Sequence, residues 1–168
     1  VGIDMVLLGR EDINRHRADD ITNAQPVEIV SRAEDGTVSV RDAVWKDVKC
    51  GDVVRVRSKE AFPADLVLLR GSDPPGQCWV NTKPLDGESD MKLRLAPNHG
   101  LSPHDEPAGG PPHAELAAQF DWGALRNASV RCERPNDKVN DFAGELLLAE
   151  ASGVLPIGPS NMLLRGCL

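Results

Sequence analysis

The sequence lacks the excess of positive charge that a nucleic-acid-binding protein carries. Its 168 residues include 19 Lys and Arg against 26 Asp and Glu, which gives a net charge of −7. The basic residues are scattered along the chain. This charge argues against nucleic acid as a partner and gives no reason to expect strong attraction to anionic lipid headgroups.

The sequence also lacks the spacing of a metal site. Its four cysteines lie far apart, at Cys50, Cys78, Cys132 and Cys167. None forms a C-x-x-C pair, and no histidine pair supplies the missing zinc ligands. We therefore interpret the cysteines as reduced thiols. His99, His104 and His113 lie in or beside a loop, where solvated side chains are the simpler interpretation and a metal site is the alternative.

No apolar run reaches the roughly 18 residues of a membrane span, and the first residues do not resemble a signal peptide. The composition is 40% apolar and 27% charged, which is ordinary for one globular domain, so the fragment is expected to be soluble. Asn127-Ala128-Ser129 matches a glycosylation sequon, but nothing else indicates secretion.

Short apolar runs predict a mainly β fold. They cover residues 27–30, 37–44, 53–57, 66–69, 77–82, 128–132 and 142–149 and are separated by turn formers such as Asp35-Gly36 and Cys50-Gly51-Asp52. Strands without helices between them favour an antiparallel sandwich or a jelly-roll-like barrel over a parallel sheet. Trp45, Phe62, Trp79 and Phe142 are predicted to pack in the core or at its rim.

Other stretches have different patterns. Residues 1–20 predict a helix whose far end carries a charged, solvated face. Residues 97–112 contain too many Pro and Gly for regular structure and predict an insertion or mobile loop, followed by a short helix over residues 114–120. Because neither β segment has enough apolar strand for a core of its own, one interrupted domain is the simplest organisation.

The chemistry concentrates in Asp86-Gly87-Glu88-Ser89, which follows a predicted strand and Pro84. A carboxylate beside a glycine and a hydroxyl at an exposed turn is a setting for handling water. Gly87 allows a close approach of the backbone to a phosphate, and Ser89 offers a hydroxyl that can orient water. Alone, however, the tetrapeptide is also typical of a solvated turn.

This loop resembles the actuator loop of P-type ATPases, and the surrounding sequence resembles the phospholipid-flippase class, type IV. The similar segments occur in the family's order and cover nearly the whole chain. They are Glu11-Asp12 with Arg15-His16 and Asp19, Trp45-Lys46-Asp47-Val48 with Gly51-Asp52-Val53-Val54, Phe62-Pro63-Ala64-Asp65-Leu66, Cys132-Glu133 with Pro135-Asn136, Phe142 and Gly144, and Leu163-Leu164-Arg165-Gly166-Cys167. Flippases usually have Thr and Asn where this chain has Ser89 and Asp90, and Asp90 adds negative charge near a phosphate.

The resemblance implies an actuator domain with a distorted jelly-roll or double-stranded β-sandwich fold. Its parts would be a helical connector after the second membrane helix (1–22), a first β part (26–96), an insertion with a short helix (97–121), and a second β part leading toward the third membrane helix (126–168). Asp86, Gly87, Glu88 and Ser89 would form the catalytic loop. Glu88 would activate the water that hydrolyses an aspartyl phosphate on another domain.

The resemblance places the chain in the cytosolic part of a multi-pass membrane protein. Its partners would be the phosphorylation and nucleotide-binding domains of the same chain, the membrane helices, a phospholipid substrate and an accessory membrane glycoprotein subunit. Mg²⁺ and ATP would bind elsewhere in the full-length enzyme, and this stretch would hold no cofactor or metal. It lacks the Asp-Lys-Thr-Gly-Thr phosphorylation motif, so the isolated fragment is expected to be inactive.

Two other functions stay open at this point. One is a non-catalytic regulatory or scaffold module, since flippase-like regions are fused to other enzymes such as guanylate cyclases. The other is a free-standing all-β binding domain unrelated to pumps. An intact phosphorylation motif in the parent sequence would favour transport over scaffolding.

Overall fold

A computed structural model describes residues 2–32, 37–71, 76–97, 128–134, 136, 141–148 and 154–168. They divide into two compact units, Val1–Arg57 and Ser58–Leu168, which we describe separately. More of the described residues lie in strands than in helices, and every strand pair among them is antiparallel. This confirms the mainly β, sandwich-like class predicted from the sequence.

The first unit begins with the predicted helix, α1 (Gly2–Asn23), which is followed by a three-stranded sheet. Strand β1 (Pro26–Arg32) lies between β2 (Val38–Val44) and β3 (Val53–Arg55), and a 3-10 turn (Trp45–Asp47) follows β2. The described residues of α1 from 10 to 20 are exposed, as the charged pattern predicted. No helix of the described ranges is both long and apolar enough to cross a bilayer.

Alternation along β1 separates the two faces of this sheet. Val27 and Ile29 are buried at 8% and 2% exposure, and Glu28 points to the other face. There Glu28 accepts hydrogen bonds from Arg55, its neighbour on β3, and from Arg57. These bonds, led by that from Arg55, hold the pKa of Glu28 below its ordinary value.

The described residues of the second unit form three small antiparallel sheets. Strand β4 (Leu66–Val67) pairs with β10 (Met162–Leu163), and β5 (Gln77–Asn81) forms a hairpin with β6 (Met91–Leu95). Strand β8 (Gly144–Leu147) lies between β7 (Ser129–Cys132) and β9 (Val154–Ile157). A one-turn helix, α2 (Lys83–Asp86), stands between β5 and β6, and a 3-10 turn (Pro159–Asn161) precedes β10.

The core of this unit lies on one face of β8 and β9. Leu146 and Leu155 are directly opposite each other, and each is 2% exposed. The surrounding apolar side chains are Leu148, Ile157, Val67, Leu69, Ala128 and Phe142. The packing of neighbouring apolar groups is the main source of stability for such short strands.

The structure departs from the sequence predictions at four elements, α2, β6, β9 and β4. Pro84 was expected to break the strand and to begin a loop. The strand does end before it, at Asn81, but Pro84 itself lies in the first turn of α2, where its missing N–H is not needed. Strands β6 and β9 were not predicted, since the charged residues of β6 and Pro156 of β9 weakened their patterns. Strand β4 has only two residues.

Among the aromatic residues, Trp45 and Phe62 are buried as predicted, at 8% and 5% exposure, and Phe142 packs against the core. Trp79 differs, because it is 54% exposed. It lies opposite Leu93 on the open face of the β5–β6 hairpin, whereas the next residue, Val80, is 1% exposed on the packed face. The alternation of β5 decides which residue is buried.

Several predictions fall outside the described residues. They concern the insertion from residue 98 to 121, the helix over residues 114–120, the three loop histidines and Asn127 of the sequon. The organisation of the chain as one domain stays a prediction.

Candidate functional site

The candidate site is the connection between β5 and β6. Helix α2 begins after Thr82, which is 2% exposed and accepts the backbone N–H groups of Leu85 and Asp86 at 2.8 and 3.1 Å. Gly87 ends the helix in the left-handed region with φ of 75°, and its N–H donates to Lys83. Since L side chains are strained at this φ, a glycine is suited to the turn that ends α2 and leads into Glu88.

Asp86 organises the loop. Its carboxylate accepts the backbone N–H of Glu88 at 2.9 Å and lies 2.7 Å from the Nζ of Lys92. The hydrogen bond from Lys92 and that from the Glu88 amide lower the pKa of Asp86 to about 2. Asp86 is therefore ionised at neutral pH and fixes the backbone on both sides of Gly87.

Glu88 stands at the exposed end of this turn. Its side chain is 61% exposed, and its Oε2 lies 2.9 Å from the Nζ of Lys92. Its backbone is held by Asp86. The arrangement presents a carboxylate to solvent from a fixed backbone, which is the geometry that a base for an external substrate needs.

Ser89 and Asp90 complete the loop, and both are exposed. The structure thus brings Asp86, Gly87 and Glu88 together by direct bonds and leaves Ser89 accessible beside them. Lys92 was not singled out from the sequence. Its spacing could have indicated the contact. Lys92 follows Glu88 by four positions and Asp86 by six, so the chain returns beside the turn as β6 begins.

The hairpin that carries this loop is attached at both strands. The backbones of Asn81 and Leu168 exchange hydrogen bonds at 2.6 and 3.2 Å, at the loop end of β5. At the other end of β6, the Nδ2 of Asn161 donates to the carbonyl of Leu95 at 2.9 Å. These contacts join residues far apart in sequence to the hairpin, so the two strands that carry the loop are held in place.

The proline-alanine-aspartate segment contacts the same closing residues of the chain. The backbone N–H of Phe62 donates to Cys167, and that of Gly166 donates to Phe62, each at 3.0 Å. The Oδ1 of Asp65 accepts the N–H of Arg165 at 2.8 Å. Two of the segments that resemble flippases are therefore joined in space.

We expect Asn161→Ala to lower the free energy of unfolding by about 2 kcal/mol. Asn161 is 9% exposed, accepts the Gly158 N–H at 2.8 Å and donates to Leu95, so its removal leaves two groups in a part-buried site without their hydrogen bonds. Urea unfolding of the 168-residue chain would measure the loss. Ser160→Ala, at the exposed neighbouring position, should change stability by less than about 0.5 kcal/mol. Equal losses in the two variants would contradict the prediction.

A second prediction concerns the stability of the fold at low pH. The folded pKa of Asp86 is about 2, below the ordinary 3.8, so its ionised form stabilises the fold above pH 3.8 and this contribution disappears as the pH falls through 2. Asp86→Asn should therefore be less stable than wild type at pH 5 to 7, and the gap should close towards pH 2. Urea unfolding across this range tests it, with Asp90→Asn as the exposed control. A gap that does not change with pH would refute the expectation.

Within the described ranges, no group of three or more His, Cys, Asp or Glu side chains has the arrangement of a metal site. The four cysteines are free thiols. Burial raises the pKa values of Cys78 and Cys167, so these two are less reactive than ordinary thiols.

Comparison with known proteins gives relatives over nearly the whole chain. A phospholipid-transporting ATPase of Schizosaccharomyces pombe is 36% identical over 156 residues, which is 93% of this chain and 11% of that protein. Phospholipid-transporting ATPase DRS2 of Saccharomyces cerevisiae is 33% identical over 158 residues, 93% of this chain and 10% of the relative. Phospholipid-transporting ATPase IC of Homo sapiens is 32% identical over 162 residues, 94% of this chain and 11% of the relative.

No family model matches the sequence. The chain spans about a tenth of the length of the curated relatives that it matches. The chain is therefore a segment of the phospholipid-transporting ATPase family, the type IV class of P-type ATPases.

Proposed function

We propose that this segment is the actuator domain of an ATP-driven phospholipid flippase and that Glu88 promotes hydrolysis of an aspartyl phosphate on a neighbouring domain. The observation that carries the proposal is the position of Glu88. Its carboxylate is exposed at the tip of a turn whose backbone is held by Asp86 and whose hairpin is anchored at both strands. A base that acts on a group outside its own domain must be both accessible and positioned.

The proposed chemistry is the attack of water on phosphorus. A bond forms between the water oxygen and phosphorus, the bond between phosphorus and the aspartyl oxygen breaks, and the electron pair of that bond stays on the aspartate. Glu88 takes the proton that the water loses. The products are the free aspartate and inorganic phosphate, and general-base help of this kind is worth about 10²–10⁴ in rate.

The other loop residues have supporting roles. Gly87 has no Cβ, so the backbone can approach the phosphoryl oxygens, and an ideal Cβ at this position would meet nothing within 4 Å in the resting loop. The Ser89 hydroxyl is exposed and can orient the water. Asp86 acts through the backbone of Glu88.

The other domains of the ATPase would lie outside this segment. The phosphorylation and nucleotide-binding domains of the parent chain would supply the aspartyl phosphate and bind Mg²⁺ and ATP. Movement of the actuator would couple hydrolysis to lipid movement through the membrane helices at its two ends, with an accessory membrane glycoprotein as a further partner. The segment itself would lie in the cytosol.

The test is phosphoenzyme turnover in the full-length ATPase that contains this segment. Glu88→Gln keeps the size of the side chain and removes the base, so the variant should still be phosphorylated by ATP and should retain the phosphate. Phosphoenzyme that disappears from this variant as fast as from wild type would reject the catalytic role of Glu88.

A further inference from the structure

Lys92 lies at the centre of the loop's charged groups. Its Nζ is 2.7 Å from the Oδ2 of Asp86 and 2.9 Å from the Oε2 of Glu88. The side chains of Lys92 and Asp86 are 28% and 21% exposed, whereas that of Glu88 is 61% exposed. One ammonium therefore joins a partly buried carboxylate to an exposed one.

The position of Lys92 on β6 holds its side chain in place. It lies on β6 directly opposite Val80, which is 1% exposed, so its aliphatic part begins on the packed face of the hairpin. Its hydrogen bonds to Asp86 and then to Glu88 raise its pKa above the ordinary value, so it stays charged at neutral pH. Asp86 in turn holds the Glu88 backbone, which closes a ring of contacts around Gly87.

We propose that Lys92 is a positioning residue for Glu88, a role that rests on the proposed function of the loop. The ammonium orients the exposed carboxylate through its contact with Oε2. The pair with Asp86 is partly buried and contributes to the fold, whereas the pair of Lys92 with Glu88 is exposed and adds little to stability, so the effect of Lys92 on Glu88 should appear in the reaction.

The order of the two contacts explains how Lys92 can act without blocking the reaction. The shorter contact, 2.7 Å, is with the less exposed Asp86. The contact with Glu88 is longer, at 2.9 Å, and Glu88 is the more exposed of the two carboxylates. Its side chain can therefore turn toward an incoming water while Lys92 remains bound to Asp86. The ammonium then stays beside the loop as it meets the phosphate.

The experiment measures phosphoenzyme decay in the full-length ATPase after ATP is removed. Lys92→Met keeps the length of the side chain and removes its charge, and decay should slow by roughly ten- to hundredfold, the effect expected of a misplaced catalytic group. Lys92→Arg keeps the charge and should recover most of the rate. Lys83→Met, which removes an exposed lysine from α2, is the matched control and should decay like wild type. Decay is measured only on molecules that carry phosphate, so partial misfolding does not alter the rate constant.

A double variant separates positioning from a general structural effect. If Lys92 acts through Glu88, then Lys92→Met combined with Glu88→Gln should decay no more slowly than Glu88→Gln alone. Two results would overturn the proposal: wild-type decay in Lys92→Met, or an equal slowing by Lys92→Met with and without Glu88. Wild-type decay in Glu88→Gln is a different failure, because it removes the proposed function itself.

Discussion

Glu88→Gln should slow the decay of the phosphoenzyme by about 10²–10⁴ while ATP still phosphorylates the protein, because an amide cannot accept the proton of the attacking water. The side chain is 61% exposed, so the substitution removes no packing and should leave folding unchanged. The amide can keep one polar contact with Lys92. The measurement is the rate constant for phosphate release from the isolated phosphoenzyme of the full-length ATPase.

Asp90→Asn is the matched control for this experiment. It also replaces an exposed carboxylate of the same loop with an amide, but it does not alter the residue proposed as the base. Its decay should stay within a few-fold of wild type, and any change should be a faster reaction, since a negative charge near the phosphate is removed. A slowing equal to that of Glu88→Gln would show that loop charge, and not a specific base, controls hydrolysis. A parent protein that forms no phosphoenzyme would favour the scaffold module.

Gly71→Ala should lower the free energy of unfolding by about 3 kcal/mol, the upper part of the usual range for inserting an atom into occupied space. A Cβ at Gly71 would lie 2.0 Å from the carbonyl oxygen of Gln77 and 2.8 Å from its nitrogen. These are backbone atoms at the first residue of β5, so they cannot rotate away. The end of the hairpin opposite the loop would have to move. Backbone hydrogen bonds from Gly76 to Gly71 and from Ala96 to Gly76 oppose this movement.

Urea unfolding of the 168-residue chain measures this effect, and Gly158→Ala is its control. At Gly158 the nearest atom to a new Cβ is 3.9 Å away, and φ is −135°, which any residue adopts. The free energy of unfolding of Gly158→Ala should equal that of wild type or exceed it by less than about 1 kcal/mol. Similar stability in both variants would show that the approach of Gly71 to Gln77 is not a constraint on the fold.

Much of the site could be read from the sequence, because its signals are local. A strand before Pro84, an Asp-Gly turn and an exposed Glu88 depend on neighbouring residues, and the structure places them as predicted. The short helix α2 was missed because Pro84 was read as a break, whereas in the first turn of a helix proline is favourable. Strand β6 was missed because Lys92 and Arg94 interrupt its apolar residues, which the structure places on the open face of the hairpin, beside Trp79.

The sequence by itself determined the β class, the long first helix and the ordered motifs around Glu88, since these depend on local alternation, turn residues and composition. Only the tertiary structure decided that Lys92 joins Asp86 to Glu88, and that Asn161 and the backbone of Leu168 hold the hairpin beneath them. Contacts such as Asp65 with Arg165 join residues 100 positions apart. Their pairing depends on how the strands pack and register, which no local pattern encodes.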